Sequence, residues 1–388
     1  MTFDKPVILQ VLPALNTGGV ERGTVEMAQA ILNAGGVALV ASADGVWKQS
    51  LERMGAIHIQ LPLNSKNPLV IWKNQFALKK IIKKYNVDIV HVRSRAPAWS
   101  AWLAVKNTKV HLITTWHGVF SENWRGKRWY NQVMTRGERV IAISYYIAER
   151  LKKHYGVSEQ MLRIIPRGVD LNTFDPELSF GDRVTDLAEK WQIPATKKII
   201  LLPGRLTAWK GQELLVRAMA MIKRHHEDWI CVFVGPSKHN DQFIKRLLLL
   251  ADQLQVREQL YFVGNCQDMP AAFMLANIVV VPSLKPEPFG RVVIEAQAME
   301  KPVIVANHGG AAETVIDKKT GYVFEPGNVK ALAELLQELV ESSDEDLHWT
   351  GRLAREDAQA HYALTQMQAA TLNVYNEVLP QTKQLRVS

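Results

Sequence analysis

The segment Pro282-Ser283-Leu284-Lys285-Pro286-Glu287-Pro288-Phe289-Gly290-Arg291-Val292-Val293-Ile294-Glu295-Ala296 follows the apolar run 277–281 and reads as loop, then helix. Three prolines stiffen the loop, so Glu287 is held rather than left to sample solvent. Gly290 opens the helix. Glu295 interrupts Val-Val-Ile before Ala296 and should fall on or near a buried surface. A carboxylate there is costly unless partners bind it. The start of the helix offers unpaired N–H groups and the positive end of a dipole, which suits phosphate. Two carboxylates would repel that phosphate unless they met hydroxyls instead. A ligand with phosphate in its middle and polyols at both ends meets all of these demands, and nucleotide-sugars are such ligands.

Upstream, Lys198-Ile199-Ile200-Leu201-Leu202-Pro203-Gly204-Arg205-Leu206-Thr207-Ala208-Trp209-Lys210-Gly211 reads as a strand running into a glycine turn. Arg205 and Lys210 stand near the next helix start, where two cations beside free N–H groups make a diphosphate cradle. It is not a P-loop, because Gly-x4-Gly-Lys-Ser/Thr is missing. Further strands are expected at 230–235 and 260–264, with helices over 243–255 and 269–275. In the first half, strand signals fall at 7–12, 37–42, 57–61, 87–92, 110–115 and 139–143, mostly with helical stretches between them. Such alternation predicts parallel sheets covered on both faces, with ligands beyond the carboxyl ends of the strands.

Several strand ends carry chemistry. Gly18-Gly19 with Arg22 follows the first strand, Arg93-Ser94-Arg95 the fourth, Trp116-His117-Gly118 the fifth and Ser144-Tyr145-Tyr146 the sixth. Arg93 and Arg95 would clamp an anionic group, or be solvated surface arginines. His117 is a ligand contact or a structural histidine. The first strand-to-helix turn is not a dinucleotide fingerprint, since Gly-x-Gly-x-x-Gly is missing there.

The Glu287-x7-Glu295 pair in its Pro-x-Pro-Phe-Gly setting resembles the signature of retaining glycosyltransferases of the GT-B fold, family 4. Gly204-Arg205…Lys210-Gly211, Gly18-Gly19, His117-Gly118 and the segment His308-Gly309-Gly310 through Glu313 are similar to other motifs of that family, in family order along nearly the whole chain. Arg-Ser-Arg-Ala-Pro-Ala-Trp and Ile-Pro-Arg-Gly-Val-Asp look like bacterial members that build lipopolysaccharide core. One departure is Arg167, where the family often has Asn. The resemblance implies two Rossmann-like parallel-sheet domains facing an interdomain cleft. The acceptor-binding domain would span 1–174 plus a C-terminal helix from about 363 to 388, and the nucleotide-sugar-binding domain 175–362. It implies Glu287 and His117 as catalytic residues contacting the transferred sugar. Donor binding would use Gly18, Gly19, Arg205, Lys210, Val263, Gly264, Asn265, Phe289, Gly290, Arg291 and Glu295, the last holding the ribose. Acceptor binding would use Arg93, Arg95 and Ser144. The donor would be a UDP-hexose or GDP-mannose.

No cofactor or metal is expected. The only Asp-x-Asp match, Asp344-Glu345-Asp346 after Ser342-Ser343, reads as a helix start with acidic first-turn residues. Arg205 and Lys210 supply the charge a metal would otherwise bring. Remaining alternatives are a nucleotide-sugar epimerase of the same fold, a phosphorylase and a non-catalytic nucleotide-sugar-binding protein. A dehydrogenase lacks its glycine fingerprint.

Composition narrows the partners. Residues 1–180 hold 24 Lys and Arg against 13 Asp and Glu, a surplus of 11, and seven of the eleven tryptophans. The remainder holds 23 against 25, so the whole net charge of +9 comes from the first half. Lys79-Lys80 and Lys83-Lys84, flanking Ile81-Ile82, give a helix with a cationic face, and Trp124–Tyr130 adds a basic, aromatic cluster. This predicts an anionic lipid-linked glycan acceptor and peripheral contact with the cytoplasmic face of an inner membrane; no nucleic-acid motif is present. Two cysteines in 388 residues fit a reducing cytosol. No apolar run reaches membrane-spanning length, and the N-terminus lacks a signal-peptide pattern.

Overall fold

Strand and helix alternate throughout the computed structural model, which describes residues 5–16, 18–122, 124–178, 181–222, 226–237 and 241–387. The chain divides into two compact units, Met1–Pro166 with Thr365–Ser388, and Arg167–Leu364. Relative to the boundary at 174, Arg167–Phe174 group with the second unit. The reason is local pairing: the Val169 N–H donates to the Tyr362 carbonyl, and the Leu364 N–H donates to that of Val169, both at 2.8 Å.

The first unit holds β1 (Val7–Ala14), β2 (Val37–Ala43), β3 (Ile57–Gln60), β4 (Ile89–Val92), β5 (His111–Trp116), β6 (Arg139–Ala142) and β7 (Leu162–Ile164). They form one parallel sheet in the order β3-β2-β1-β4-β5-β6-β7. The second unit holds β8 (Lys198–Pro203), β9 (Trp229–Val234), β10 (Leu260–Gly264), β11 (Ile278–Val281), β12 (Val303–Ala306) and β13 (Tyr322–Phe324). Its sheet, also parallel, runs β10-β9-β8-β11-β12-β13. Helices on both faces explain why central strands such as Ile278–Val281 read as unbroken apolar runs: all four residues are buried. In each sheet the strand order reverses once, between β1 and β4 and between β8 and β11. These switch points open crevices at the carboxyl edge, where open α/β sheets bind ligands.

The helix Leu364–Asn376 brings Tyr375 to β4 of the first unit. The Tyr375 hydroxyl and His91 Nδ1 share a hydrogen bond of 2.7 Å, and His91 Nε2 shares another of 2.7 Å with Thr115 Oγ1. All of this is buried. Burial, and then the charge of Arg93, holds the His91 pKa well below the ordinary histidine value. The unfolded chain therefore binds a proton that the native chain refuses, and stability is lost as pH falls below about 6.5. The thermal midpoint should drop between pH 7.5 and 5, and less steeply in His91→Gln. An equal slope in that variant would assign the acid sensitivity to other groups.

Candidate active site

Along the carboxyl edge of the second sheet, the loop after β8 and the loop after β11 meet at the switch point. Gly211 makes the approach possible: its φ is +79°, and a Cβ there would lie 2.0 Å from the Pro282 carbonyl oxygen. The Leu284 N–H donates to the Trp209 carbonyl at 2.7 Å, tying the loops together. Buried Gln212 donates from Nε2 to the Arg205 carbonyl at 3.0 Å, fixing the turn that carries both cations. Lys210 Nζ then reaches Glu287, donating to Oε1 at 2.7 Å. The two side chains are only 13% and 11% exposed. Arg205 itself is exposed beside them in sequence.

Glu287 is gripped from behind as well. The Gly310 N–H donates to its carbonyl at 2.8 Å, and Gly309, with φ +69°, lies where a Cβ would meet the Glu287 backbone at 2.6 Å. Ser283 Oγ donates to Glu287 Oε1 at 2.5 Å, and the His308 ring shares a 2.7 Å hydrogen bond with the Ser283 carbonyl. Neither Ser283 nor His308 is marked as a Glu287 support by the sequence. Their spacing carries no signal, because the contacts run through an irregular loop rather than along a helix face.

Gly290, with φ +94°, precedes the helix Arg291–Ala298. Glu295 is 9% exposed, and Arg291 Nη2 stands 3.4 Å from its Oε1, one turn back. Glu295 thus has the cationic partner that a carboxylate in that position requires. Phe289 is buried under this turn. Val263 and Gly264 are half-buried and Asn265 exposed, at the end of edge strand β10, where the Gly235 N–H donates to the Gly264 carbonyl at 2.7 Å.

In the first unit, Gly18 and Gly19 follow β1, Arg93 follows β4, His117 follows β5 and Ser144 follows β6, so all lie along the carboxyl edge of four neighbouring strands. Two acceptor residues differ from expectation. Arg93 is 2% exposed and donates to Gln10 Oε1 at 3.2 Å; it belongs to the buried network around His91 and Tyr375, not to an open anion clamp. Ser144 is 1% exposed, and its Oγ accepts the Ile147 N–H at 3.1 Å as a helix N-cap. Arg95 is half-buried, donates to Asn131 Oδ1 at 2.8 Å and stacks 3.9 Å from the Phe120 ring centroid. His117 is half-buried. A feature without a sequence signal is an open groove beyond β1 and β2, lined by Asn16, Asp44, Val46, Lys48, Gln49 and Glu52.

Asp344-Glu345-Asp346 forms the first turn of the helix Asp344–His361, where Ser343 Oγ accepts the Asp346 N–H at 3.1 Å and Asp344 pairs with Lys198 at 2.8 Å.

Two family descriptions match the chain: "Glycosyltransferase Family 4" over residues 17–173 and "Glycosyl transferases group 1" over residues 184–357. A glycosyltransferase from Rickettsia africae is similar in structure, with a TM-score of 0.89 and 38% identity, over 98% of this chain and 100% of that one. The Anabaena protein HepE, solved with UDP and glucose, superposes with a TM-score of 0.82 at 21% identity, over 96% of this chain and 100% of its own, which shows the GT-B fold. A GDP-mannose-dependent monoacylated alpha-(1-6)-phosphatidylinositol monomannoside mannosyltransferase of Corynebacterium glutamicum is 30% identical over 68% of this chain and 70% of its own.

Proposed function

Because the chain belongs to the glycosyltransferases, with a family 4 domain followed by a group 1 domain, we propose that it moves a hexose from a nucleoside-diphosphate sugar to a lipid-linked glycan with retention of configuration and without a metal. The observation that carries this is the Lys210–Glu287 pair, a cation and an acid drawn together at the switch point of the second sheet. Lys210 and exposed Arg205 neutralise the diphosphate, and the N–H groups opening the helix Arg291–Ala298 add to that field. Glu287 orients the sugar and stabilises positive charge growing on its anomeric carbon. Glu295 holds the ribose, and His117 holds sugar hydroxyls. The bond between the anomeric carbon and the phosphate oxygen breaks as the acceptor oxygen attacks from the same face. The acceptor's proton passes to the departing diphosphate, which supplies the base. HepE, solved with UDP and glucose, and the GDP-mannose-dependent relative support a nucleotide-sugar donor, UDP-hexose or GDP-mannose.

For the acceptor, an anionic lipid-linked glycan such as lipopolysaccharide core fits the basic first unit; the Corynebacterium relative is named for a phosphatidylinositol-linked glycan. The test is transfer itself. With UDP-glucose, UDP-galactose, GDP-mannose or ADP-glucose and a bacterial lipid-linked glycan extract, one donor should release its nucleotide only when acceptor is present, equally with EDTA, giving an α-linked product by NMR. Epimerised donor without acceptor, or loss of activity with EDTA, would contradict the proposal.

The same unit offers a surface for the membrane side of this reaction. The helix Pro68–Tyr85 buries Asn74, Gln75, Leu78, Ile81 and Ile82 and turns Leu69, Trp72 and Phe76 outward at 69%, 55% and 44% exposure. Lys73, Lys79, Lys80, Lys83 and Lys84 are exposed on it, and residues 54–87 contain no Asp or Glu. Aromatic and basic groups together favour an anionic lipid surface, such as the cytoplasmic face of an inner membrane. Among the described residues no helix is long and apolar enough to cross a membrane. The chain should sediment with phosphatidylglycerol vesicles and not with phosphatidylcholine vesicles, and Trp72→Ala/Phe76→Ala should weaken that binding. Equal binding to both lipids would contradict the assignment.

A further inference from the structure

Ser283 and Lys210 both donate to the same oxygen of Glu287, Oε1, at 2.5 and 2.7 Å. Among the described residues no protein group donates to Oε2. The carboxylate is therefore divided: both protein donors hold one oxygen, and the other takes none. Two donors on one oxygen look redundant until the second demand on Lys210 is considered. Its ammonium is a flexible point charge, and a diphosphate bearing more than one negative charge competes with Glu287 for it. If Lys210 were the sole anchor, Glu287 would lose its orientation at the moment the donor arrived.

Ser283 has no such conflict. It is 2% exposed, it sits four residues before Glu287 in the proline-stiffened loop, and its own carbonyl shares a hydrogen bond with the His308 ring. From this geometry we infer that Ser283 is a positioning residue that keeps Glu287 aimed at the donor sugar while Lys210 shifts its charge onto the diphosphate. The inference rests on the nucleotide-sugar reading above and deepens it, because it separates the part of the site that reads phosphate from the part that reads sugar. In the free protein the Lys210–Glu287 pair neutralises two poorly solvated charges; in the donor complex the serine hydroxyl retains the acid without the lysine.

The consequence is a split between nucleotide and sugar recognition. Ser283→Ala should bind UDP or GDP, whichever the wild type prefers, within about twofold of wild-type affinity. It should lose most of the additional affinity for the matching nucleotide-sugar, and its kcat should fall by about tenfold, the scale of one hydrogen bond to a charged group. Ser283→Thr, which keeps the hydroxyl, and Ser283→Cys, which keeps a weaker donor, should recover activity in part. Circular dichroism and the thermal midpoint monitor the fold of each variant. A merely structural serine would lower nucleotide and nucleotide-sugar affinity together and leave their ratio unchanged, and that result would overturn the inference. So would a kcat for Ser283→Ala equal to that of wild type. Failure of the wild-type chain to bind any of these nucleotides would remove the donor reading itself, and the positioning role with it.

Discussion

Lys210→Ala is expected to lower turnover at least tenfold while the chain remains folded. The wild-type ammonium does two things. In the free protein it lies 2.7 Å from Glu287 Oε1, and both side chains are largely shielded from water. During transfer it faces negative charge that grows as the diphosphate departs, in a site where water screens it poorly. Removal of one such donor from a preorganised charge-stabilising site typically costs about 100- to 1,000-fold in kcat, so tenfold is a conservative floor. Loss of the buried pair also leaves Glu287 without its cation, which is costly. Ser283 still holds the carboxylate and the Gly310 N–H still holds the Glu287 carbonyl, so the damage should be local. Glu287→Ala should give a comparable loss through the sugar side. Near-wild-type rates from either variant would remove the roles assigned to both.

Gly211→Ala should produce the second large effect, on stability and activity together. The residue has φ +79°, and an added Cβ would lie 2.0 Å from the Pro282 carbonyl oxygen, a backbone atom of the facing loop. Left-handed strain and a backbone clash each cost about 1–3 kcal/mol. The loops could relieve the clash only by separating, which would draw Lys210 away from Glu287. Gly327 supplies the control: its φ is +80°, yet nothing lies within 4 Å of a Cβ placed there. Gly327→Ala should therefore cost strain alone, about 1 kcal/mol or little more. Thermal unfolding of the two variants separates the contributions. Equal midpoints would mean that the approach of the two loops at Gly211 contributes nothing.

These residues also show how far the sequence can be read. The central strands are visible because a parallel strand buried on both faces becomes a continuous apolar run, as in Ile278–Val281. Lys210 and Glu287 are each legible as site residues because each lies just past such a strand, but their hydrogen bond depends on β8 lying beside β11. The short strands β7 and β13, three residues each, escape notice because three residues carry no periodicity. Arg93 misleads for a different reason. A charged residue after a strand normally points to solvent or ligand, but here Gln10 on the neighbouring strand accepts its hydrogen bond, a pairing that depends on β1 lying beside β4. Ser144 carries a second role that its place after a strand does not announce, as the N-cap that accepts the Ile147 N–H at 3.1 Å. Ser283 lies in the most informative loop of the chain, yet its contact with Glu287 depends on the loop's path.

Donor binding through Lys210 is tested most directly by calorimetric titration of UDP-glucose, GDP-mannose and ADP-glucose into the wild-type chain and into Lys210→Ala. At least one of the three should bind the wild type, with an affinity that falls about tenfold or more in the variant. Binding of none of them, or equal affinity in the two proteins, would contradict it.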